Sequence, residues 1–134
     1  MARILLVDDD PNMRLIYATV LRHNGHDVVE ATSASEALAA VEQGAFDLVI
    51  LDVKLGTESG LTVLQRLATT SPHLPVILLT AYASFQDDFT SWLADRYLLK
   101  SSDLDVFSSE VEQVLQHRRM PPAHRQGVEE RVRP

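Results

Sequence analysis

Acids, a hydroxyl and an ammonium stand directly after short apolar runs of this sequence. They are Asp8 and Asp9, Asp52, Thr80 and Lys100. Carboxylate oxygens are the ligands that a hard divalent cation such as Mg²⁺ prefers. A bound cation, a hydroxyl and an ammonium can each meet a phosphoryl oxygen, and an aspartate can itself be the nucleophile that forms an acyl phosphate. The set therefore favours phosphoryl chemistry, with Asp52 as the candidate for its centre.

Consecutive acids follow the first apolar run. Asp10 precedes Pro11, and a carboxylate followed by proline at the first helical position is typical of a helix start. Asp10 is therefore interpreted as a helix cap. Asp8 and Asp9 remain, and adjacent carboxylates repel each other unless a cation is bound between them. Together with Asp52 they predict a metal site.

Short apolar runs alternate with segments that place apolar residues at helical spacing. The runs at 4–7, 47–52, 76–79 and 97–99 are typical of strands in a parallel sheet, and the less apolar run at 27–31 is placed at the sheet edge. The alternation predicts an α/β fold, doubly wound (βα)₅, with a five-stranded parallel sheet. The carboxyl ends of parallel strands share one edge, where open α/β sheets bind ligands, so the scattered polar residues are expected to converge.

Local signals place helices and loops between these strands. Ser33, with Glu36 three residues later, predicts a capping box at the start of the second helix. Apolar spacing assigns Ile16 to the buried face of the first helix and Leu104 to that of the last. Residues 53–60 are interpreted as a loop.

Length and composition indicate one ordinary domain. The 134 residues are 46% hydrophobic and 23% charged, and the absence of cysteine excludes disulfides and thiolate metal sites. No signal peptide or membrane span is recognised, so a cytoplasmic location without a membrane partner is expected. Residues 1–117 hold seven Lys and Arg against seventeen Asp and Glu, a balance of −10. That balance disfavours direct nucleic-acid binding and suits a divalent cation.

In their order and spacing these residues resemble the response regulator receiver domain of two-component signal transduction, the fold of the chemotaxis response regulator. The resemblance covers residues 3 to about 117, and the domain is placed at 1–118 with a C-terminal tail or linker at 119–134. It implies a flavodoxin-like sheet of strand order 2-1-3-4-5. It also implies a phosphoprotein whose Mg²⁺- or Mn²⁺-dependent phosphorylation is carried out by a sensor histidine kinase or a phosphotransfer protein.

The resemblance assigns roles residue by residue. Asp52 matches the phospho-acceptor, Asp9 the direct metal ligand, and Asp8 an acid that acts mainly through water. The backbone carbonyl of Lys54 matches a further metal ligand. Gly60 matches the glycine eight residues beyond the acceptor.

The switch residues are assigned in the same way. Thr80 matches the switch hydroxyl, Tyr97 the switch aromatic and Lys100 the phosphate-pairing lysine. The family signals to a downstream protein or output domain through the face built from the fourth helix, fifth strand and fifth helix, and a homodimer is left open. Trp92, on the predicted fourth helix, is expected to report the change. Such a protein is a signalling switch and no enzyme, apart from catalysing its own phosphorylation and dephosphorylation.

Side chains two residues beyond the acceptor and two beyond the switch hydroxyl flank the approach of hydrolytic water. Here they are Lys54 and Tyr82. Charged lysine has no acceptor with which to activate water, and a large ring can exclude solvent. Slow self-dephosphorylation is therefore expected.

The sequence departs from the family pattern at a few positions. Gly56 stands where proline is usual, which is expected to loosen the loop after the acceptor. The span from Thr80 to Lys100 is short by about two residues in this comparison, so a short or displaced fourth helix is expected. Ser101 follows Lys100 where the family usually has proline after a cis bond, and a trans bond is predicted because a non-proline cis bond costs about 2.5–4 kcal/mol.

Two other functions compete with the phosphorylated receiver. One is a phosphorylation-independent, receiver-like interaction module, which would have no need of the intact acidic and basic set. The other is a metal-dependent phosphohydrolase of the haloacid dehalogenase type, whose nucleophile would be Asp8 and which usually needs a longer chain. Residues 119–134 fit either the end of a stand-alone receiver or a linker to an output domain.

Overall fold

The central sheet consists of five parallel strands in this computed structural model, which describes residues 1–81, 93–100 and 103–118. Within that part of the chain the strands are β1 (Arg3–Val7), β2 (Asp27–Ala31), β3 (Leu48–Asp52), the two-residue β4 (Lys54–Leu55) and β5 (Glu58–Ser59), β6 (Val76–Thr80) and β7 (Arg96–Leu99). The order across the sheet is β2-β1-β3-β6-β7. This confirms the predicted order 2-1-3-4-5, because β6 and β7 are the fourth and fifth predicted strands.

Helices cover both faces of this sheet. They are α1 (Pro11–His23), α2 (Ala34–Gln43), α3 (Gly60–Thr70) and α4 (Leu104–Arg118), the last of which is the predicted fifth helix. The apolar core on one face includes side chains of α1 and α4, and the core on the other includes those of α2 and α3. None of these described helices is long and apolar enough to span a bilayer. Most of the predicted fourth helix and the predicted tail lie outside the described residues.

The central strands are buried from end to end, as their unbroken apolar sequences predicted. All residues of β3 and β6 are buried, whereas β2, at the edge, has exposed, half-buried and buried positions. Residues buried on both faces of a parallel sheet need no polar alternation. At the carboxyl end, Asp52 of β3 pairs with Leu79 of β6, so its side chain leaves the sheet where the ladder stops.

Two of the predicted core positions are wrong. Ile16 and Leu104 are each 40% exposed. On α1 the buried stripe runs through Tyr17, Ala18 and Leu21, and Ile16 lies at its margin. Leu104 is the first residue of α4, and a helical side chain leans toward the amino end, so this one projects past the start of the helix.

The caps of α1 and α2 follow the sequence, with one change. Asp10 accepts hydrogen bonds from the backbone N–H groups of the first turn of α1, which confirms its capping role. Ser33 accepts the N–H of Glu36 at 3.2 Å, as a capping box requires. The Glu36 carboxylate, however, accepts the backbone N–H of Thr32 at 2.7 Å and its hydroxyl at 2.9 Å. The reciprocal bond therefore reaches one residue beyond the predicted N–H of Ser33, and these bonds lower the pKa of Glu36.

The segment predicted as a loop after β3 contains a small antiparallel hairpin. β4 and β5 pair Lys54 with Ser59 and Leu55 with Glu58, leaving a two-residue turn. Gly56 begins that turn with φ +61°, in the left-handed region that glycine adopts without strain. The glycine in place of proline therefore allows an ordered turn here, which the expectation of a loosened loop did not include.

Candidate functional site

An open cleft of about 300 Å³ lies at the carboxyl edge of the sheet. It is lined by Asp9, Asp10, Asp52, Lys54, Gly56, Thr80, Ala81 and Lys100. Asp8 lies next to this cleft and is fully buried. The predicted convergence of residues from separate strand ends is therefore what the fold produces.

The acidic side chains form a group that fits a hard cation. One carboxylate oxygen from each of Asp8, Asp9 and Asp52 lies within 4.8 Å of the others. Asp8 Oδ1 accepts the N–H of Asp10 at 2.9 Å. Asp8 Oδ2 is buried and accepts no hydrogen bond from any described residue, although Lys100 Nζ lies 3.1 Å away as an ion pair. A buried carboxylate oxygen that accepts no hydrogen bond, beside further carboxylates, is one that a metal such as Mg²⁺ can satisfy.

Lys100 connects this group to the far side of the cleft. Its Nζ lies 2.7 Å from Asp52 Oδ2 and 3.3 Å from Asp8 Oδ1, and its side chain is 16% exposed. Its backbone is fixed as well, because its N–H donates to the carbonyl of Thr80 at 2.7 Å and its own carbonyl accepts the Tyr17 hydroxyl at 3.4 Å. The ammonium is therefore aimed at the two buried carboxylates.

Burial and charge perturb both partners of this ion pair. Burial raises the pKa of the Asp52 carboxyl, and the charge of Asp8 adds to that effect. The Lys100 ammonium and the N–H of Lys54 act in the opposite direction, and the resulting pKa is about 6. Burial lowers the pKa of Lys100, but the hydrogen bond and the charges of the carboxylates outweigh it and the pKa is raised. At neutral pH the site therefore holds the charged Lys100 ammonium beside an Asp52 carboxylate that is ionised but takes up a proton more readily than an ordinary aspartate.

The backbone around Asp52 explains why Gly60 has no side chain. A Cβ on Gly60 would collide with the backbone carbonyl of Asp52, and the Gly60 N–H donates to the carbonyl of Val53 at 2.6 Å. The N–H of Lys54 donates to Asp52 Oδ1 at 3.2 Å, while the N–H of Val53 donates to the carbonyl of Leu79 at 2.9 Å. These contacts hold the start of α3 against the end of β3, next to the Asp52 carboxylate.

The structure gives the positions of some of the remaining predicted residues but does not test their roles. Thr80 is buried and lines the cleft. Tyr97 pairs with Leu78 in the sheet and packs against the core on the α2 and α3 face. Their coupling as a switch remains a prediction. Tyr82, Trp92 and the Lys100–Ser101 bond lie outside the described residues.

Two residues next to the site were not predicted to act there. Tyr17 donates to the carbonyl of Lys100, and Arg14 donates to the carbonyl of Asp8 at 2.9 Å. Both had a signal in the sequence. A buried tyrosine hydroxyl usually needs a partner, and an arginine in the first turn of a helix is disfavoured by the helix dipole unless a specific acceptor is present.

The sequence of this chain matches a known protein family. Residues 4–112 match the family described as the response regulator receiver domain. The chain belongs to this family. Receiver domains are parts of two-component response regulators, so the predicted fold and family are both confirmed.

Relatives of this receiver are longer regulatory proteins. The transcriptional regulatory protein ZraR of Salmonella typhimurium is 34% identical over 118 residues, which are 87% of this chain and 27% of ZraR. The probable transcriptional regulatory protein TcrX of Mycobacterium tuberculosis is 36% identical over 76% of this chain and 44% of its own. The chain thus spans about a quarter of ZraR and under half of TcrX.

Solved receiver structures resemble the chain along nearly their whole length. The response regulator TrrA of Thermotoga maritima, crystallised with Mg²⁺-BeF, is 38% identical with a TM-score of 0.82, covering 85% of this chain and 99% of TrrA. TrrA in complex with the histidine kinase ThkA has a TM-score of 0.80 at 38% identity, covering 86% and 99%.

Proposed function

We propose that this receiver accepts a phosphoryl group on Asp52 in a Mg²⁺- or Mn²⁺-dependent reaction, with a sensor histidine kinase or phosphotransfer protein as donor. One observation carries the proposal. Asp52 Oδ2 lies 2.7 Å from Lys100 Nζ, beside two further carboxylates and at an open cleft. The similarity to TrrA, which was crystallised with Mg²⁺-BeF and with a histidine kinase, supports the same proposal.

The chain's own groups divide the chemistry between them. An oxygen of the Asp52 carboxylate attacks phosphorus, forming the acyl phosphate bond while the bond from phosphorus to the donor breaks and the donor leaves with that electron pair. The Lys100 ammonium and the Thr80 hydroxyl are proposed to pair with phosphoryl oxygens, since both line the cleft beside Asp52. Asp8, Asp9, Asp52 and the carbonyl of Lys54 are the residues that would hold the cation. When bound, the cation neutralises charge that develops on the phosphoryl oxygens.

The output is proposed to be a change in a protein-binding surface. On the described part of the face around β7 and α4, Leu93 and Val106 are each 48% exposed and Leu104 is 40% exposed. These side chains belong to the elements through which, by the family resemblance, a receiver docks another protein or an output domain, and we propose the same use here. We also propose that the protein acts as a signalling switch in the cytoplasm and makes no direct contact with nucleic acid. It is proposed to have no enzymatic activity beyond its own phosphorylation cycle.

The decisive experiment is labelling with acetyl phosphate, followed by mass spectrometry of the intact chain and its peptides. We expect one phosphoryl group on Asp52 with Mg²⁺ present and none with EDTA. Asp52→Asn should abolish labelling. Asp47→Asn is the matched control, because Asp47 caps the opposite edge of the sheet by accepting the Arg3 N–H at 2.8 Å, and it should label normally.

Each failure identifies a competing function. Persistent labelling of Asp8 in the Asp52→Asn protein would support a phosphohydrolase-like nucleophile. An unlabelled wild type would support an interaction module that works without phosphate.

Slow loss of the phosphoryl group, attributed to Lys54 and Tyr82, is measured in the same assay after removal of the donor. The variants Lys54→Asn and Tyr82→Ala should shorten the lifetime.

A further inference from the structure

Arg14 connects three elements around the acidic group. It lies in the first turn of α1, and its Nη1 donates to the backbone carbonyl of Asp8 at 2.9 Å. Its Nε donates to Glu30 Oε1 on the edge strand β2 at 3.0 Å. The side chain is 19% exposed, so these bonds are partly shielded from water. One guanidinium thus joins the start of α1, the end of β1 and the edge of the sheet.

The carbonyl of Asp8 is a group that the sheet leaves for a side chain to satisfy. The N–H of Asp8 still donates to Ala31 at 3.1 Å, but Asp8 follows Val7, the last paired residue of β1. Arg14 supplies a donor there. The Asp8 carboxylate is held separately, by the Asp10 N–H and by Lys100. The peptide and the side chain of Asp8 are therefore fixed from different sides, and the peptide is also the one that leads into Asp9.

Glu30 determines where the guanidinium of Arg14 points. Its second oxygen accepts Arg22 Nη2 at 3.2 Å, so one carboxylate holds two arginines of α1. A guanidinium in the acidic group itself would compete with a divalent cation for the same oxygens. Held on Glu30, it lies against the backbone carbonyl of Asp8, and its charge is offset.

We infer that Arg14 is a positioning residue for divalent-cation binding, and that Glu30 orients it. The inference rests on the proposed cation site, and it adds a requirement that the carboxylates alone do not meet. Arg14 acts by fixing the peptide between Asp8 and Asp9, not by touching the cation. Loss of its bonds lets that peptide turn, and the two carboxylates then no longer face Asp52 together.

A positioning role and a simple charge effect predict opposite signs. If Arg14 were only a nearby positive charge, replacing it by a neutral side chain would reduce repulsion and tighten Mg²⁺ binding. If it positions the Asp8 peptide, the same replacement weakens binding. Lysine keeps the charge but has a single ammonium in place of the planar fork, so it cannot serve both acceptors equally. Arg14→Lys should therefore weaken binding less than Arg14→Met does.

The test is titration of the protein with Mg²⁺ alone, without any phosphodonor, by calorimetry and by amide chemical shifts. We expect Arg14→Met to raise the Kd by about tenfold, since loss of a group that orients a metal ligand typically weakens affinity by about 10–100-fold. Arg22→Met is the matched control, because Arg22 bonds the same Glu30 without reaching Asp8, and its Kd should equal that of the wild type.

The outcomes separate this inference from the proposed function. Mg²⁺ binding that is absent in the wild type would overturn the cation site, and the role of Arg14 with it. Binding in the wild type that is equal or tighter in Arg14→Met would overturn the role of Arg14 alone. Should Arg14→Met not fold, Glu30→Gln and Arg14→Lys decide the matter. Weaker Mg²⁺ binding by both supports the inference, and wild-type affinity in both contradicts it.

Discussion

Aspartates lie at both edges of the parallel sheet, but their partners differ. At the amino edge, Asp47 accepts the N–H of Arg3 at 2.8 Å, and Asp95 accepts the N–H of Val76 at 2.9 Å. Each of these carboxylates satisfies the first backbone donor of a neighbouring strand. At this edge the acids are part of the hydrogen-bonding of the sheet.

At the carboxyl edge the strands end in carbonyls, which a carboxylate cannot pair with. The carbonyls there take donors from elsewhere, as Thr80 does from the N–H of Lys100 and Asp8 from Arg14. Acids at this edge accept N–H groups of the following loop or helix, as Asp10 does, and Asp8 and Asp52 in addition share one ammonium between them. Strand polarity therefore makes Asp47 and Asp95 part of the sheet, whereas Asp8 and Asp52 face the cleft of the proposed metal and phosphoryl site.

The largest expected effect comes from removing the cation at the carboxyl edge. Lys100→Met leaves Asp8 and Asp52 buried without their ammonium, and breaking a buried ion pair by removal of one partner typically costs about 3–5 kcal/mol. Because Lys100 is 16% exposed, we expect about 3 kcal/mol lower unfolding free energy in EDTA at neutral pH. Urea denaturation measures it, with exposed Lys54→Met as the control. Equal stability of the two variants would contradict this comparison of the edges.

The pH dependence of stability should also come from the carboxyl edge. Asp52 has a pKa of about 6 in the folded chain against an ordinary value of 3.8. Between these values the folded state binds more protons than the unfolded state, so the unfolding free energy falls as pH rises. The contribution is complete below the ordinary value and lost above the folded one, and it amounts to about 2–3 kcal/mol.

This loss is measured by urea denaturation in EDTA from about pH 4 to about pH 7.5, where carboxyl groups titrate. Asp52→Asn should remove most of the decline, so at neutral pH it is more stable than the wild type. Mg²⁺ should restore stability to the wild type but have a smaller effect on Asp52→Asn. A decline of the same size in both proteins would show that other carboxylates carry it.

The sequence predicted the sheet and the site because both depend on long patterns. Unbroken apolar runs specify buried strands, and an acid, hydroxyl or lysine directly after such a run must lie at one edge. The hairpin at 54–59 has no such pattern, since its strands are two residues each and only Gly56 permits the turn. Two residues are a single period of strand alternation, which is too short for a sequence pattern to show.

Contacts between side chains and distant backbone were likewise beyond the sequence. The reach of Glu36 to Thr32, and of Arg14 to Asp8, depends on rotamers that packing selects among several alternatives. Ile16 was misplaced for a related reason. Helical spacing defines a stripe about the helix but not its margins, which neighbouring elements determine.

A smaller effect is expected at the amino edge. Asp47→Ala removes the acceptor of the Arg3 N–H, which is partly buried. Leaving a buried donor without a partner costs about 1–3 kcal/mol, and partial exposure places this one near the lower end. We expect the loss in urea denaturation to be the same with and without Mg²⁺. A change in Mg²⁺ affinity would mean that the two edges are coupled through the sheet.

The smallest effect is expected from Tyr17→Phe, which removes one hydroxyl and leaves the ring. Burial raises the pKa of Tyr17, so the hydroxyl keeps its proton and can donate to the Lys100 carbonyl. That bond is long, at 3.4 Å, and the ring stays packed on Phe107 at 4.6 Å between centroids. The unfolding free energy should therefore fall by only about 0.5 kcal/mol.

The more informative measurement on Tyr17→Phe is the binding of beryllofluoride with Mg²⁺. The Lys100 carbonyl lies at the carboxyl edge, so the loss of its donor should shift the amide signals of residues 97–100 and weaken beryllofluoride binding. Mg²⁺ affinity alone should stay unchanged, because Tyr17 bonds none of the carboxylates. Phe107→Leu is the control that loosens the same packing and keeps the hydroxyl. If it affects beryllofluoride as strongly as Tyr17→Phe does, the ring and not the hydrogen bond supports Lys100.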